Sequence, residues 1–146
     1  MAITTDLVEQ ARDAATRAYA PYSRFHVGCA IEMIDGTVVL GANMENACYR
    51  LGICAEQAAL TAAAQAAGLD RIVRIAVAGG RLKGGAVDGT VPVTPCGGCR
   101  QSIIEAAHLS GRDIEVIAAS GDGRTVEIAR ISELLPNGFG PATLGG

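Results

Sequence analysis

The chain has no tryptophan, only two phenylalanines and only three tyrosines. Large aromatic rings therefore cannot organise its interior, and the core must be built of Ala, Val, Ile and Leu. Charge is thin as well. Asp, Glu, Lys and Arg make up 18% of the residues, against roughly a quarter in an average soluble domain. With 49% apolar residues, disorder is excluded for most of the chain. So little polar surface implies that another subunit covers part of it. There is no basic excess either: 12 Lys and Arg face 15 Asp and Glu, for a net charge of −3. That argues against an electrostatic grip on a nucleic-acid backbone. No apolar run approaches the roughly 18 residues of a membrane span. The opening Met-Ala-Ile-Thr-Thr-Asp lacks the basic flank and apolar stretch of a secretory signal. The expectation is a cytoplasmic protein with no membrane and no nucleic-acid partner.

What is present fits one domain over residues 1–146, long enough to bury a core without disulfide staples. The five cysteines are an odd number, awkward for a disulfide framework. In a reducing compartment, clustered cysteines point instead to metal binding or catalysis. Cys96 and Cys99 lie three apart; Cys29, Cys48 and Cys54 are the others.

The pattern predicts a helix over 6–20, with Leu7, Val8, Ala11, Ala14, Ala15 and Ala18 on one face. Asp6 and Glu9 resemble a capping box, and Pro21 is the stop. Strands at 27–33 and 37–43 flank the hairpin signal Asp35-Gly36. An alanine-rich helix over 54–67 closes at Gly68, and a buried strand follows at 72–78. Residues 79–95, rich in Gly and Pro, are expected to be loop. A third helix over 96–108, strands at 114–119 and 125–129, a short helical turn at 131–135 and an irregular glycine-rich tail complete the chain. Helical crossovers between 37 and 119 imply parallel neighbours, and the short β-β links imply antiparallel pairs. The expected fold class is α/β: a three-layer α/β/α arrangement around a mixed five-stranded sheet.

Two helix starts carry the chemistry: Cys54-Ala55-Glu56 and Pro95-Cys96-Gly97-Gly98-Cys99. Both helices follow strands, so their N-termini belong at one sheet edge, where α/β folds place ligands. Cys96 and Cys99 share a first helical turn and can grip one metal, and Cys54 adds a third thiolate. A catalytic zinc takes three protein ligands and leaves the fourth position to water. Three thiolates outweigh the ion's charge by one, which weakens its ability to acidify that water. Two positive helix ends oppose the excess. Glu56 cannot sit directly beside the sulfur of Cys54, but it can lean over the open position as a proton shuttle. By itself Cys-Gly-Gly-Cys also fits a thiol-disulfide oxidoreductase using Cys96 and Cys99, or half of a structural zinc site. Cys29 and Cys48 read as inert thiols, and His26 and His108 as ordinary polar side chains.

Taken together, a Glu two residues past one cysteine and a downstream Pro-Cys-x-x-Cys form the signature of zinc deaminases, with three cysteines as one ligand set. The chain resembles the small homotetrameric cytidine deaminases in these segments. The resemblance extends to Tyr22-Ser23-Arg24-Phe25-His26-Val27-Gly28, to Asn43-Met44-Glu45-Asn46-Ala47, to Arg100-Gln101, and to Glu133-Leu134-Leu135-Pro136-Asn137-Gly138-Phe139-Gly140-Pro141. It implies one Zn²⁺ per chain on Cys54, Cys96 and Cys99. Glu56 would carry a proton from water to N3 of cytosine and help ammonia leave. Phe25 would pack against the pyrimidine ring, Asn43 and Glu45 would hold the ribose hydroxyls, and the backbone at Ala55 would read the base. Ala47, Tyr49 and Phe139 would reach a neighbour's pocket in a homotetramer. The implied activity is hydrolytic deamination of cytidine and deoxycytidine, a pyrimidine-salvage reaction on a small-molecule nucleoside. A deaminase of a modified cytosine nucleoside or a cytosine-bearing antibiotic shares the zinc motif. The Asn43/Glu45 pair favours an ordinary ribose.

Two positions depart from the family pattern. Gln57 stands where Arg usually follows the catalytic Glu, so the thiolates receive an amide donor without a positive charge. His26 stands where Pro is frequent.

Overall fold

The computed structural model describes residues 2–145. Helix α1, Ala2–Ala15, buries Leu7, Val8, Ala11, Ala14 and Ala15, five of the six residues in the stripe that the sequence pattern marks. Its ends differ from the expectation. Asp6 lies inside the helix, and Glu9 closes no capping box but pairs with Arg12 at 2.9 Å. The helix stops well before Pro21, because the chain is needed elsewhere. Thr16, Arg17 and Ala18 bond three residues back, tightening the last turn. Tyr19 then pairs its backbone with a second segment: its N–H donates to the Asn43 carbonyl at 3.0 Å, and its carbonyl accepts from Glu45 N–H at 2.8 Å.

Strands β1, His26–Met33, and β2, Val38–Ala42, form the expected antiparallel hairpin around Asp35-Gly36. Helix α2, Ala55–Ala66, leads to β3, Ile72–Lys83. Here the loop expected over 79–95 is corrected. β3 runs on to Lys83, turns through Gly84 and Gly85, and returns as β4, Ala86–Asp88. Both turn residues have positive φ, 61° and 82°, the conformation that a two-residue hairpin turn demands and glycine supplies. Helix α3, Gly97–Ser110, is closed by Gly111 in the left-handed region. β5, Glu115–Ser120, β6, Val126–Arg130, and the short α4, Ile131–Leu134, follow.

The sheet order is β2-β1-β3-β5-β6, with β4 paired to β3, so the mixed sheet has six strands rather than five. β3 and β5 are the parallel neighbours, and all other pairs are antiparallel. The crossover through α2 does not land beside its own strand. It skips β1, so β2 and β3 run parallel with β1 between them. Alternation assigns the two faces. Ala30, Ala76, Ala78, Ile117 and Ala119 meet α1, while Cys29, Ile31, Ile75, Val77 and Val116 meet the α2/α3 side. This is the expected three-layer α/β/α arrangement.

One close approach fixes the site. A Cβ on Gly41 of β2 would lie 2.4 Å from the backbone nitrogen of Ala59, so α2 sits directly on β2. Ala59 and Ala63 are consumed by this packing and are fully buried. Much of the alanine stripe of α2 therefore serves the chain's own core.

Candidate active site

Because β2 and β3 run parallel, α2 and α3 begin at the same sheet edge. Cys54 is the N-cap of α2 and Cys96 the N-cap of α3, and neither side chain is spent on a capping hydrogen bond. Cys99 lies one turn into α3 and is buried. The three Sγ atoms all lie within 4.8 Å of one another, the one such group of potential metal ligands among the described residues. Tetrahedral zinc with Zn–S bonds of about 2.3 Å separates its sulfurs by roughly 3.8 Å, so the donor set suits that ion. Thiol chemistry points the same way. Burial pushes the Cys54 and Cys99 thiols above their ordinary value, while the Cys99 N–H aimed at Cys96 lowers that thiol. Holding all three as thiolates requires a cation among them, which the two positive helix ends only partly replace. A redox pair would use two sulfurs and leave the convergence of Cys54 unexplained.

Glu56 sits in the first turn of α2 and is only 5% exposed. Burial raises its carboxyl above the ordinary glutamate value. Beneath it Cys29 is fully buried, and both burial and the Glu56 charge push its thiol up well above the ordinary value. Both effects favour the protonated thiol.

Cys54, Ala55, Glu56 and Cys96 line a cavity of about 610 Å³ together with Asn43 and Glu45. That volume suits a small molecule. Asn43 spans the turn into β1: its Oδ1 accepts from Val27 N–H at 2.8 Å and its Nδ2 donates to the Phe25 carbonyl at 3.0 Å. One N–H and one lone pair of the amide remain for a ligand. Glu45 accepts from the N–H groups of Tyr22 and Ser23, at 2.9 and 3.1 Å, and from the Ser23 hydroxyl. That hydroxyl, followed by the backbone donors, holds its carboxyl below the ordinary value. The cavity thus contains two carboxylates whose environments push them in opposite directions. Such a pair is suited to dividing labour, the raised carboxyl to exchanging protons and the lowered one to accepting hydrogen bonds as a charged group.

The remaining predicted residues are placed as follows. Phe25 is 42% exposed and lines a neighbouring depression, which shares Val93 with the cavity. Tyr49, 79% exposed, lines the cavity of its own chain and meets Tyr22 edge-on, ring centres 5.8 Å apart. Ala47 is exposed nearby, before the turn Tyr49–Leu51. Phe139 is remote in sequence but firmly held. Gln101 Nε2 donates to its carbonyl at 2.8 Å, and a Cβ on the next glycine, Gly140, would lie 1.9 Å from His108 Nδ1. The tail is therefore pressed onto α3, with the Phe139 ring 53% exposed.

Three contributors had no role assigned from the sequence. Ser23 braces Glu45, although it lies in a segment quoted for the resemblance. Ser102 accepts from Gln57 Nε2 at 2.7 Å, and the same amide approaches Cys99 Sγ at 3.8 Å. Arg100 donates to the Pro95 carbonyl at 2.8 Å and the Leu134 carbonyl at 2.9 Å, fastening the start of α3. Gln57 does face the sulfurs, shared with a serine hydroxyl.

Known proteins resemble this chain in sequence and fold. Residues 1–110 match the model of the cytidine and deoxycytidylate deaminase zinc-binding region. A cytidine deaminase of Halalkalibacterium halodurans is 44% identical over 133 residues, covering 91% of each chain. One from Mycobacterium tuberculosis is 38% identical over 130 residues, covering 89% of this chain and 84% of its own. Among solved structures, the cytidine deaminase of Burkholderia pseudomallei superposes with a TM-score of 0.79 at 39% identity, over 92% of this chain and 97% of that one. That of Mycobacterium tuberculosis gives 0.69 at 36%, over 92% and 95%. With a cysteine triad suited to zinc at the edge of the matching fold, the chain belongs to the cytidine and deoxycytidylate deaminase zinc-binding family.

Proposed function

We propose that this chain hydrolyses cytidine and deoxycytidine to uridine and deoxyuridine, releasing ammonia, as a pyrimidine-salvage enzyme of the cytoplasm. Residues 1–146 then act as one catalytic domain. The observation that carries the reading is the buried Glu56 in one cavity with Cys54 and Cys96 of the cysteine triad and with Asn43 and Glu45. Cys54, Cys96 and Cys99 hold the zinc, which when bound supplies the Lewis acidity that makes water a nucleophile at neutral pH. Glu56 takes a proton from the attacking water, delivers it to N3 of cytosine, and assists the amino nitrogen out as ammonia. Burial suits it to this exchange, because a carboxyl raised toward neutrality can both accept and return a proton. The free N–H and lone pair of Asn43 and the remaining lone pair of Glu45 meet the ribose hydroxyls. The backbone at Ala55 reads the base, and Phe25 packs against the ring. An added phosphate or a missing sugar leaves these polar groups mismatched.

The test is spectroscopic: loss of the cytosine ultraviolet band with cytidine, cytosine and cytidine monophosphate offered separately. Rapid loss with cytidine alone is expected. Preference for the monophosphate, or no turnover of any of the three, would sink the reading.

The same proposal includes a homotetramer in which Ala47, Tyr49 and Phe139 complete a neighbour's pocket. Its support is the exposure of Phe139 on backbone fastened to α3 by Gln101. A ring held rigidly outward is a liability unless it inserts elsewhere. Phe139→Ala removes nothing from the chain's own core, so fold and zinc content should persist. KM for cytidine should rise by about tenfold, the loss of one buried aromatic anchor. Sedimentation showing a fully active monomer would overturn the shared site.

A further inference from the structure

We propose that Ser23 is a positioning residue that aims Glu45, so that its hydroxyl sets how tightly the nucleoside's sugar is held. The inference rests on the reading of Glu45 as a ribose-binding group and goes beyond it by naming what orients that group.

The argument is a count of lone pairs. A carboxylate offers about four acceptor directions. Glu45 Oε1 is filled by the N–H groups of Tyr22 and Ser23, and one direction of Oε2 by the Ser23 hydroxyl. A single direction, on Oε2, is left for a ligand, and a carboxylate there takes only a donor.

A serine hydroxyl normally rotates to suit its surroundings, but this one cannot. Its oxygen accepts from the Phe25 N–H at 3.0 Å, which leaves its proton pointing at Glu45. Arg24 makes this possible by adopting φ +60°, in the left-handed region that side chains rarely enter. The chain thereby turns back, with Arg24 N–H bonded to the Ala20 carbonyl at 2.9 Å. The strained residue separates Ser23 from Phe25 and lets one hydroxyl bridge Phe25 and Glu45. Ser23 itself is exposed, so its hydroxyl is not part of the core.

Ser23→Ala should therefore raise KM for cytidine by about tenfold, as loss of one hydrogen bond to a charged group does, with kcat changed less than about twofold. Ser23→Thr, which keeps the hydroxyl, should return KM to near the parent value. In a Glu45→Ala background, Ser23→Ala should add almost nothing, because the group it aims is gone. Zinc content and Tm are read alongside. An unchanged KM in Ser23→Ala, zinc or kcat falling together with affinity, failure of threonine to rescue, or a full effect persisting without Glu45 each overturns the proposal. Glu45→Ala alone separates it from its basis. If that variant raises KM while Ser23→Ala does not, only the role of Ser23 fails. If Glu45→Ala leaves KM unchanged, the ribose-binding reading fails with it.

Discussion

Glu56→Gln should lower kcat by a factor of about 10² to 10⁴, the usual contribution of a positioned proton-transfer group, while the protein stays folded and keeps its zinc. The substitution is nearly isosteric, so the buried first turn of α2 has no cavity to fill. It also removes a charge that burial already disfavours, so stability should not fall. What disappears is the ability to accept a proton. Glu45, the other carboxylate of the cavity, cannot stand in. Its carboxyl is held below the ordinary value by Ser23 and its backbone donors, and it has one acceptor direction left. Steady-state kinetics with metal analysis and a thermal melt check the prediction. Near-normal kcat in Glu56→Gln would remove the proton-shuttle role, whatever the metal does.

The parts of this site that were legible in the sequence are those fixed by short covalent spacing. Cys96 and Cys99 fall in one helical turn at any angle the helix adopts, and Cys54 and Glu56 are bound together the same way. That both helices open at one sheet edge followed from the order of strands and crossovers. What was not legible depends on which partner a segment chooses. Alternation in β1 marks its two faces but not its place between β2 and β3. Gly84 and Gly85 suggest a loop and a hairpin turn equally well until Ala86–Asp88 is seen to pair back. The early end of α1 is decided by Tyr19 bonding to Asn43 and Glu45, more than twenty residues away. Ser23 escaped notice because a serine in a turn already has a local explanation. Its hydroxyl matters only through Glu45.

The triad itself yields the other large effect. Cys99→Ser should reduce zinc from one ion per chain to nearly none and take deaminase activity with it. Cys99 is the sulfur that cannot be replaced from solvent. It is 1% exposed at the base of the site, whereas Cys54 and Cys96 sit at the exposed helix starts. A serine hydroxyl does not ionise to supply the third anionic donor. A metal bound only by the folded chain stabilises it, so that gain should disappear as well. The melting temperature of the parent should fall on chelation and recover when zinc returns, and Cys99→Ser should respond to neither treatment. The same experiment separates metal binding from thiol redox chemistry. A dithiol pair at Cys96 and Cys99 predicts activity insensitive to chelators and equally dependent on both cysteines, with Cys54→Ser harmless. Zinc bound by the triad predicts that Cys54→Ser loses the metal too, because the N-cap sulfur of α2 then leaves only two donors on α3. Full zinc occupancy in Cys54→Ser would break the assignment of the triad.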